Sequence, residues 1–421
     1  MKLSLVGSGY VGVVTGACFS SLGNEVTLVD VIEEKVRLIN SGIPTVYEKD
    51  LETLVSKGVS SDRLRATTNL GSAVNSTDMT FICVGTPSRL DGTQDAHYIE
   101  NVSEEIGKSL REKEGHHMVI VKSTVLPGTT EKTVRGIIEK VSGKKAGRDF
   151  GIGMNPEFLK EGDAVNDFMH PDRVVIGYLD EKTKNALEKL YAPLGAPMVF
   201  TDCTTAEMIK YASNVFLSAR VALINELGNA AKQIGVDIRV VAKAIGMDRR
   251  IGSHFLNAGA GFGGSCFRKD ASAISFMAKE LGAETPIIDA VLSQNEKQPL
   301  KLVELLEKKG TVSGRKVAVL GLAFKPGSDD IRDAPSIRVV TALIEKGAKV
   351  VAFDPAAMEN FKKLFPSIEY AESAAAAVNR ADSVIVVTEW KEFSAPELYG
   401  SRPVVDGRGI TKTENYEGIC W

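Results

Sequence analysis

Much of what marks the common protein classes is scarce in this chain. Its five cysteines, Cys18, Cys83, Cys203, Cys266 and Cys420, are scattered, include no C-x-x-C pair and total an odd number. That spacing argues against a disulfide framework and a zinc site, and leaves each thiol to be explained singly. The five histidines include no H-x-x-x-H or H-E-x-x-H, and the adjacent His116 and His117 would point apart, so no metal site is expected. Positive charge is not in excess: 51 Lys and Arg against 54 Asp and Glu give a formal net charge of -3, which argues against nucleic acid as a partner. No stretch approaches the roughly 18 consecutive apolar residues of a spanning helix. The apolar N-terminus "MKLSLVGSGYVG" is broken by glycines and lacks an A-x-A cleavage site. The expectation is a cytoplasmic protein with no membrane partner.

What the chain does have is an ordinary globular composition, 43% hydrophobic and 25% charged. Its 421 residues exceed what one hydrophobic core usually serves, which points to two or three domains.

The first 30 residues read as strand, glycine turn, helix and second strand, "KLSLVGSGYVGVVTGACFSSLGNEVTLVD". Gly7 suits the tight turn, Gly9 lets backbone approach a pyrophosphate, and Gly12 lets helix and strand pack closely. The helix N-terminus then faces the phosphates. Asp30, ending the second strand, can accept hydrogen bonds from a ribose and would repel a 2'-phosphate, so NAD is favoured over NADP. Two later strands end in "GTP" (85 to 87) and in Ser123 and Thr124, on the same side of the expected sheet.

From about residue 315 the pattern recurs as "RKVAVLGLAFKPGSDDIRDAPSIRVVTALIEKGAKVVAFDP", with Gly321 in the turn and Asp354 closing the strand. "ADSVIVVTEW" (381 to 390) echoes residues 78 to 87. A second doubly wound domain follows. Its turn has lost the G-x-G-x-x-G spacing and carries Lys325, which suits a phosphate-bearing ligand other than a second NAD.

Between the repeats, residues 204 to 235 have a helical period and no proline. Met208, Val215, Ala219, Ala222, Leu223 and Leu227 form an apolar face, while Glu207, Lys210, Asn214, Ser218 and Asn225 gather as a polar stripe. Such a stripe ordinarily faces solvent. Downstream, "GAGFGGSCFRKDASAISFMAKEL" reads as a glycine loop and a helix, with Ser265 as N-cap, Cys266 in the first turn and Asp270 one turn on. A thiol at a helix N-terminus is stabilised as thiolate and so made reactive. Cys18 and Cys83 lie inside apolar patterns and read as small buried residues.

These segments together resemble the NAD-dependent UDP-glucose/GDP-mannose dehydrogenase family. The resemblance runs through "GSGYVG" (7 to 12), "VGTP" (84 to 87), "STVLPGTT" (123 to 130), "NPEFLKEG" (155 to 162), "KYASN" (210 to 214), "RIGSHFLNAGAGFGGSCFRKD" (250 to 270), "GLAFKP" (321 to 326) and "DGRG" (406 to 409). It implies an α/β fold: an NAD-binding Rossmann domain at 1–200, a helical dimerisation domain at 201–300 entered by the long central helix, and a UDP-sugar-binding Rossmann-like domain at 301–421. It further implies a four-electron oxidation of a sugar primary alcohol to the carboxylate, with UDP-glucose the favoured substrate over GDP-mannose or UDP-N-acetylmannosamine. A non-catalytic NAD-sensing module is the competing reading from another class.

The family's roles, carried over by motif position, make Cys266 the nucleophile and Lys210 with Asn214 the stabilisers of the negative oxygen. Asp270, Thr124 and Glu157 would serve proton transfer and water. NAD contacts fall on Gly7, Gly9, Val11, Gly12, Asp30, Lys35, Thr86, Thr124, Glu161, Lys269 and Arg332. Substrate contacts fall on Phe158, Leu159, Lys160, Glu161, Lys210, Asn214, Phe255, Leu256, Asn257, Ala258, Gly259 and Gly263, with Lys325 and Arg408 on the diphosphate. Arg250 would reach a neighbouring subunit's substrate, implying a homo-oligomer, most simply a dimer through the central helix. Arg268 stands where many relatives have proline, and would add a positive charge beside the thiolate. Ser265, where the N-acetyl-sugar branch has histidine, disfavours that branch.

Overall fold

Short apolar runs closed by glycine turns become parallel strands when both of their faces are covered by helices. The structure is a computed structural model and describes residues 1–87, 89, 94–411 and 413–421. It divides into two compact units, Met1–Ala212 and Ser213–Trp421.

The first unit is built on an eight-stranded sheet in the order β3-β2-β1-β4-β5-β6-β7-β8. Its strands are β1 (Lys2–Val6), β2 (Glu25–Val29), β3 (Leu64–Thr67), β4 (Met79–Ile82), β5 (Met118–Val121), β6 (Gly151–Met154), β7 (Val174–Tyr178) and β8 (Met198–Thr201). All neighbours pair in parallel except β6 and β7. In β1 and β2 every residue but the first is buried, as expected of strands sandwiched between helical layers. The chain winds outward through β2 and β3 and returns to place β4 beside β1. The crevice at the carboxyl ends of strands beside such a reversal is where open α/β sheets bind ligands.

The second unit repeats that plan in a six-stranded parallel sheet, ordered β11-β10-β9-β12-β13-β14. The strands are β9 (Lys316–Leu320), β10 (Lys349–Phe353), β11 (Glu369–Tyr370), β12 (Ser383–Val386), β13 (Val404–Asp406) and β14 (Tyr416–Gly418). Its larger core cluster joins Val317, Val319, Ile385 and Val405 to Ile224, Ile238 and Leu256, so the helical stretch after residue 213 shares a core with the second sheet. Each such fully buried side chain contributes roughly 1.5–3 kcal/mol of transfer free energy. The fold is thus two Rossmann-like sheets with a helical middle, as the sequence leads one to expect.

The central helix spans Cys203–Gln233, close to the 204 to 235 read from periodicity. Its orientation reverses the ordinary expectation for a polar stripe. Glu207, Lys210, Asn214, Ser218 and Asn225 are all buried, whereas Met208, Leu223 and Leu227 of the expected apolar face are 44%, 59% and 45% exposed, and Phe216 is 74% exposed. The stripe turns inward because it has polar partners to meet there. Among the described residues no helix is long and apolar enough to cross a membrane.

Candidate active site

At Gly7 and Gly12 the glycine turn after β1 is shaped by contacts that tolerate no side chain. Gly7 has φ +98°, and a Cβ on it would lie 2.8 Å from the Cys83 carbonyl oxygen. One on Gly12 would lie 1.8 Å from the Gly7 oxygen, so helix and strand meet there backbone to backbone. Gly9 has nothing within 4 Å of its Cβ position, which leaves open space at the head of the Tyr10–Ser21 helix. That helix has neither a side-chain cap nor an acidic residue in its first turn, so its amides and dipole are available to an anion. Asp30 accepts from the Ser8 amide (2.9 Å) and hydroxyl (2.6 Å) and from the Ile32 amide (3.0 Å), and pairs with Lys35 at 3.5 Å. Burial alone would raise its pKa, but the Ser8 and Ile32 bonds and the Lys35 charge hold the carboxyl below its ordinary value. The turn, the open space and the ionised acid fit a dinucleotide with a free ribose hydroxyl pair.

Further contacts brace this end of the sheet. The Thr86 hydroxyl donates to the Thr124 carbonyl at 2.8 Å, which joins the strand ends after β4 and β5. Tyr10 donates to Glu48, and Glu48 accepts from the Gly162 (2.7 Å) and Ala164 (3.1 Å) amides, fixing the segment that carries Glu161. Val11, also expected at the cofactor, is half-buried in the same helix.

A second cluster in the first unit centres on Glu157. Lys210 donates to its Oε1 at 2.8 Å, and the Leu159 amide to its Oε2 at 2.7 Å. The two side chains of this ion pair are 4% and 8% exposed. Burial pushes the Glu157 carboxyl up, but Lys210, Leu159 and Lys122 outweigh it and keep it below the usual carboxylate range. The Phe158 ring lies under the Arg173 guanidinium at 4.0 Å and faces Lys210 at 5.5 Å, while Lys160 turns outward to Asp167 at 2.9 Å.

The second unit holds the cysteine. The helix begins at Phe267, and Cys266 itself occupies the N-cap position, one place later than read from sequence. Ser265 is therefore not the cap; its hydroxyl lies 3.5 Å from the Cys266 sulfur. Cys266 is exposed, and the other four cysteines are buried. Asp270, 1% exposed, accepts from Asn214 Nδ2 at 2.6 Å and pairs with Lys269 at 2.5 Å. Phe255, Leu256, Asn257, Ala258, Gly259 and Gly263 form the loop leading to it, Phe255 in a left-handed conformation at φ +60°. The Gly259 amide donates to Asn225 Oδ1 (2.7 Å), and its carbonyl accepts from Gln298 Nε2 (2.9 Å). A Cβ on Gly259 would lie 2.6 Å from the Gly407 oxygen and 3.5 Å from Arg408 Nη1. A Cβ on Gly263 would lie 2.8 Å from that of Phe324, which precedes Lys325. The loop is thus packed on both the "GLAFKP" and "DGRG" turns.

Other expected residues are engaged differently. Arg332 pairs with Asp330 at 2.7 Å with its side chain 62% exposed, and Arg250 pairs with Asp248 at 2.6 Å and is 89% exposed. Arg268 is bound by Glu296 (2.8 Å) and Asp333 (3.2 Å), so its charge is spent on a local network and does not stand free beside the thiol. Asp354, the counterpart of Asp30, is fully buried and takes five donors: the Leu322, Ala323, Ala356 and Ala357 amides and Trp390 Nε1. None of its capacity is left for a ribose, which agrees with the loss of the glycine spacing in that turn. Sequence reasoning missed Glu48, Lys122, Asn155 and Gln298 as functional residues; Asn155 opens the "NPEFLKEG" stretch, but like the others it takes its role from partners far along the chain.

Comparison with known proteins matches this arrangement throughout. Three family models fit in succession: the UDP-glucose/GDP-mannose dehydrogenase NAD binding domain at residues 1–195, the central domain at 204–297 and the UDP binding domain at 318–413. The UDP-glucose 6-dehydrogenase AglM of Haloferax volcanii is 44% identical, over 100% of both chains. A GDP-mannose 6-dehydrogenase of Pseudomonas aeruginosa is 40% identical, again over 100% of both. The solved structure of a UDP-glucose dehydrogenase from the hyperthermophilic archaeon Pyrobaculum islandicum aligns with a TM-score of 0.96 at 42% identity, covering 100% of this chain and 97% of that one.

Proposed function

This chain belongs to the UDP-glucose/GDP-mannose dehydrogenase family, and on that premise we propose that it oxidises UDP-glucose to UDP-glucuronate with NAD, in a four-electron reaction through a Cys266 thioester. The observation that carries the reading is Cys266, exposed at a helix N-terminus one turn from the buried Asp270.

NAD, held by the Gly7–Gly12 turn, Asp30 and Lys35, supplies the hydride acceptor at both oxidation stages. The chain's own groups do the rest. Once the C6 alcohol has become an aldehyde, that carbon has no second hydride to give until a nucleophile adds. The Cys266 thiolate forms a C–S bond to it, and the carbonyl electron pair moves to oxygen, which takes a proton to give a thiohemiacetal. Loss of the C–H hydride and the O–H proton leaves a thioester. Water then adds at the acyl carbon, the C–S bond breaks, and the carboxylate leaves with the thiol restored. Lys210 stabilises negative charge on the reacting oxygen, with Asn214 beside it on the helix. Asp270 takes the proton of the attacking water, while Thr124 and Glu157 order the proton relay.

On the substrate side, Phe158 to Glu161, the loop residues Phe255 to Gly259 together with Gly263, and Lys325 and Arg408 bind the nucleotide sugar. The packing of that loop against the two turns bearing Lys325 and Arg408 supports this grouping. We assign cofactor, dimerisation and sugar-nucleotide roles to residues 1–200, 201–300 and 301–421 respectively. Two copies associate through the Cys203–Gln233 helix, a reading supported by the apolar residues it exposes, and the exposed Arg250 extends toward the partner's substrate.

Replacing Cys266 with alanine tests the chemistry. Carboxylate formation is expected to fall by roughly a thousandfold or more. Wild-type yields of UDP-glucuronate from Cys266→Ala would remove the thioester from the account.

A further inference from the structure

The Glu157 cluster contains a charged group for which the proposed chemistry has no stated use. Lys122 follows β5, and its side chain is 4% exposed, as buried as Lys210. In the β5–β6 register Val121 lies opposite Met154, which sets Lys122 beside Asn155, two residues before Glu157. Lys122 Nζ donates to Asn155 Oδ1 at 2.9 Å and to the Tyr191 hydroxyl at 3.4 Å. Tyr191 also donates to Asn155 Oδ1, and Asn155 Nδ2 donates to the Val175 carbonyl at 2.8 Å. The ammonium's hydrogen bonds therefore go to neutral groups tied into the sheet, and Glu157 acts on it through space.

Electrostatics gives that charge a consequence. A Lys210–Glu157 pair alone is neutral overall, and Glu157 would cancel most of the positive potential that Lys210 offers a developing oxyanion. We propose that Lys122 is a positioning residue for this pair: its buried ammonium offsets Glu157, so the cluster carries a net positive charge and Lys210 keeps its pull on the reacting oxygen. The inference rests on the role given to Lys210 above.

The surroundings make this charge dependent on pH. Burial pushes Lys122 down to about 8, with Lys210 adding to the fall while Cys83 and Glu157 oppose it. Three of the groups facing it keep their charge state across that range. Burial pushes Cys83 up to about 12, Tyr191 lies well above its ordinary value, and Glu157 lies below its own. Lys122 is thus charged below about pH 8 and loses its charge above it.

The test compares kcat of wild type and Lys122→Met on saturating nucleotide sugar and NAD between about pH 6.5 and 9.5, taking their ratio so that titrations common to both cancel. A ratio on the order of tenfold is expected at the acid end, falling toward unity as pH rises through the Lys122 transition, with both KM values little changed. Lys122→Arg, which stays charged, should keep neutral-pH activity and hold it at the alkaline end. A ratio independent of pH, or a defect confined to KM, would overturn the proposal. Should Lys122→Met fold poorly, Lys122→Gln retains an amide donor for Asn155 and serves in its place. Lys210→Met distinguishes a failure of the Lys210 role from a failure of the Lys122 role. If it leaves kcat unchanged, the role of Lys210 is wrong; if it cripples kcat while the Lys122 ratio stays flat, only the role of Lys122 is wrong.

Discussion

At the scale of single residues, two glycines one helical turn apart make opposite demands. Gly12 lies backbone to backbone against Gly7, so Gly12→Ala is expected to cost several kcal/mol and to be seen first as a lower Tm. Gly9 has open space at its Cβ position and a negative φ of -74°, so Gly9→Ala should leave Tm nearly unchanged. It should instead weaken NAD binding by about tenfold or more, because the methyl occupies space the pyrophosphate needs. Calorimetry and an NAD titration on the two variants check this; a Gly9→Ala variant with normal NAD affinity would contradict the reading of the turn. Gly7, Gly9, Gly12 and Asp30 were legible in the sequence because their roles follow from local backbone geometry. Lys122 and Glu48 were not: the partners that give them meaning, Asn155 and Tyr191 for one and Gly162 and Ala164 for the other, are distant in sequence. Arg268 was visible as an unusual charge, but only the fold brings Glu296 and Asp333 to neutralise it.

At the scale of elements, the Cys203–Gln233 helix shows what periodicity reveals and what it omits. A 3.6-residue period identifies the helix and separates its two faces, but the face that goes inside depends on what the neighbouring segments offer. Here they offer polar partners: the Gly128 and Thr130 amides for Glu207, Glu157 for Lys210, Asp270 for Asn214 and the Gly259 amide for Asn225. Burial pushes the Glu207 carboxyl up to about 7, against those amide bonds. The opposite side leaves Phe216 and Leu223 at 74% and 59% exposure. If this side joins two copies, Phe216→Asp with Leu223→Asp should give a folded monomer by light scattering, with NAD binding retained and turnover lost. A wild-type oligomer that survives both substitutions would exclude this face as the interface.

At the scale of the whole molecule, one sheet plan is used twice and diverges at the acid that closes each turn. Asp30 remains 9% exposed beside the open space at Gly9, whereas Asp354 is fully buried and saturated by backbone amides and Trp390. The sequence repeat announced the common plan, and the altered glycine spacing hinted at the divergence. The loss of the second acid to internal hydrogen bonds needed coordinates. Under the proposed thioester route, the dinucleotide turn at Gly7–Gly12 serves two hydride acceptors in succession for each sugar oxidised. Counting NADH formed per UDP-glucose consumed, with sugar limiting and NAD in excess, and repeating the count with GDP-mannose decides between one and two hydride transfers at this site. Two NADH per UDP-glucose is the expected result; a count of one would contradict the thioester account, and no turnover of UDP-glucose beside two NADH per GDP-mannose would contradict the assigned substrate while keeping the chemistry.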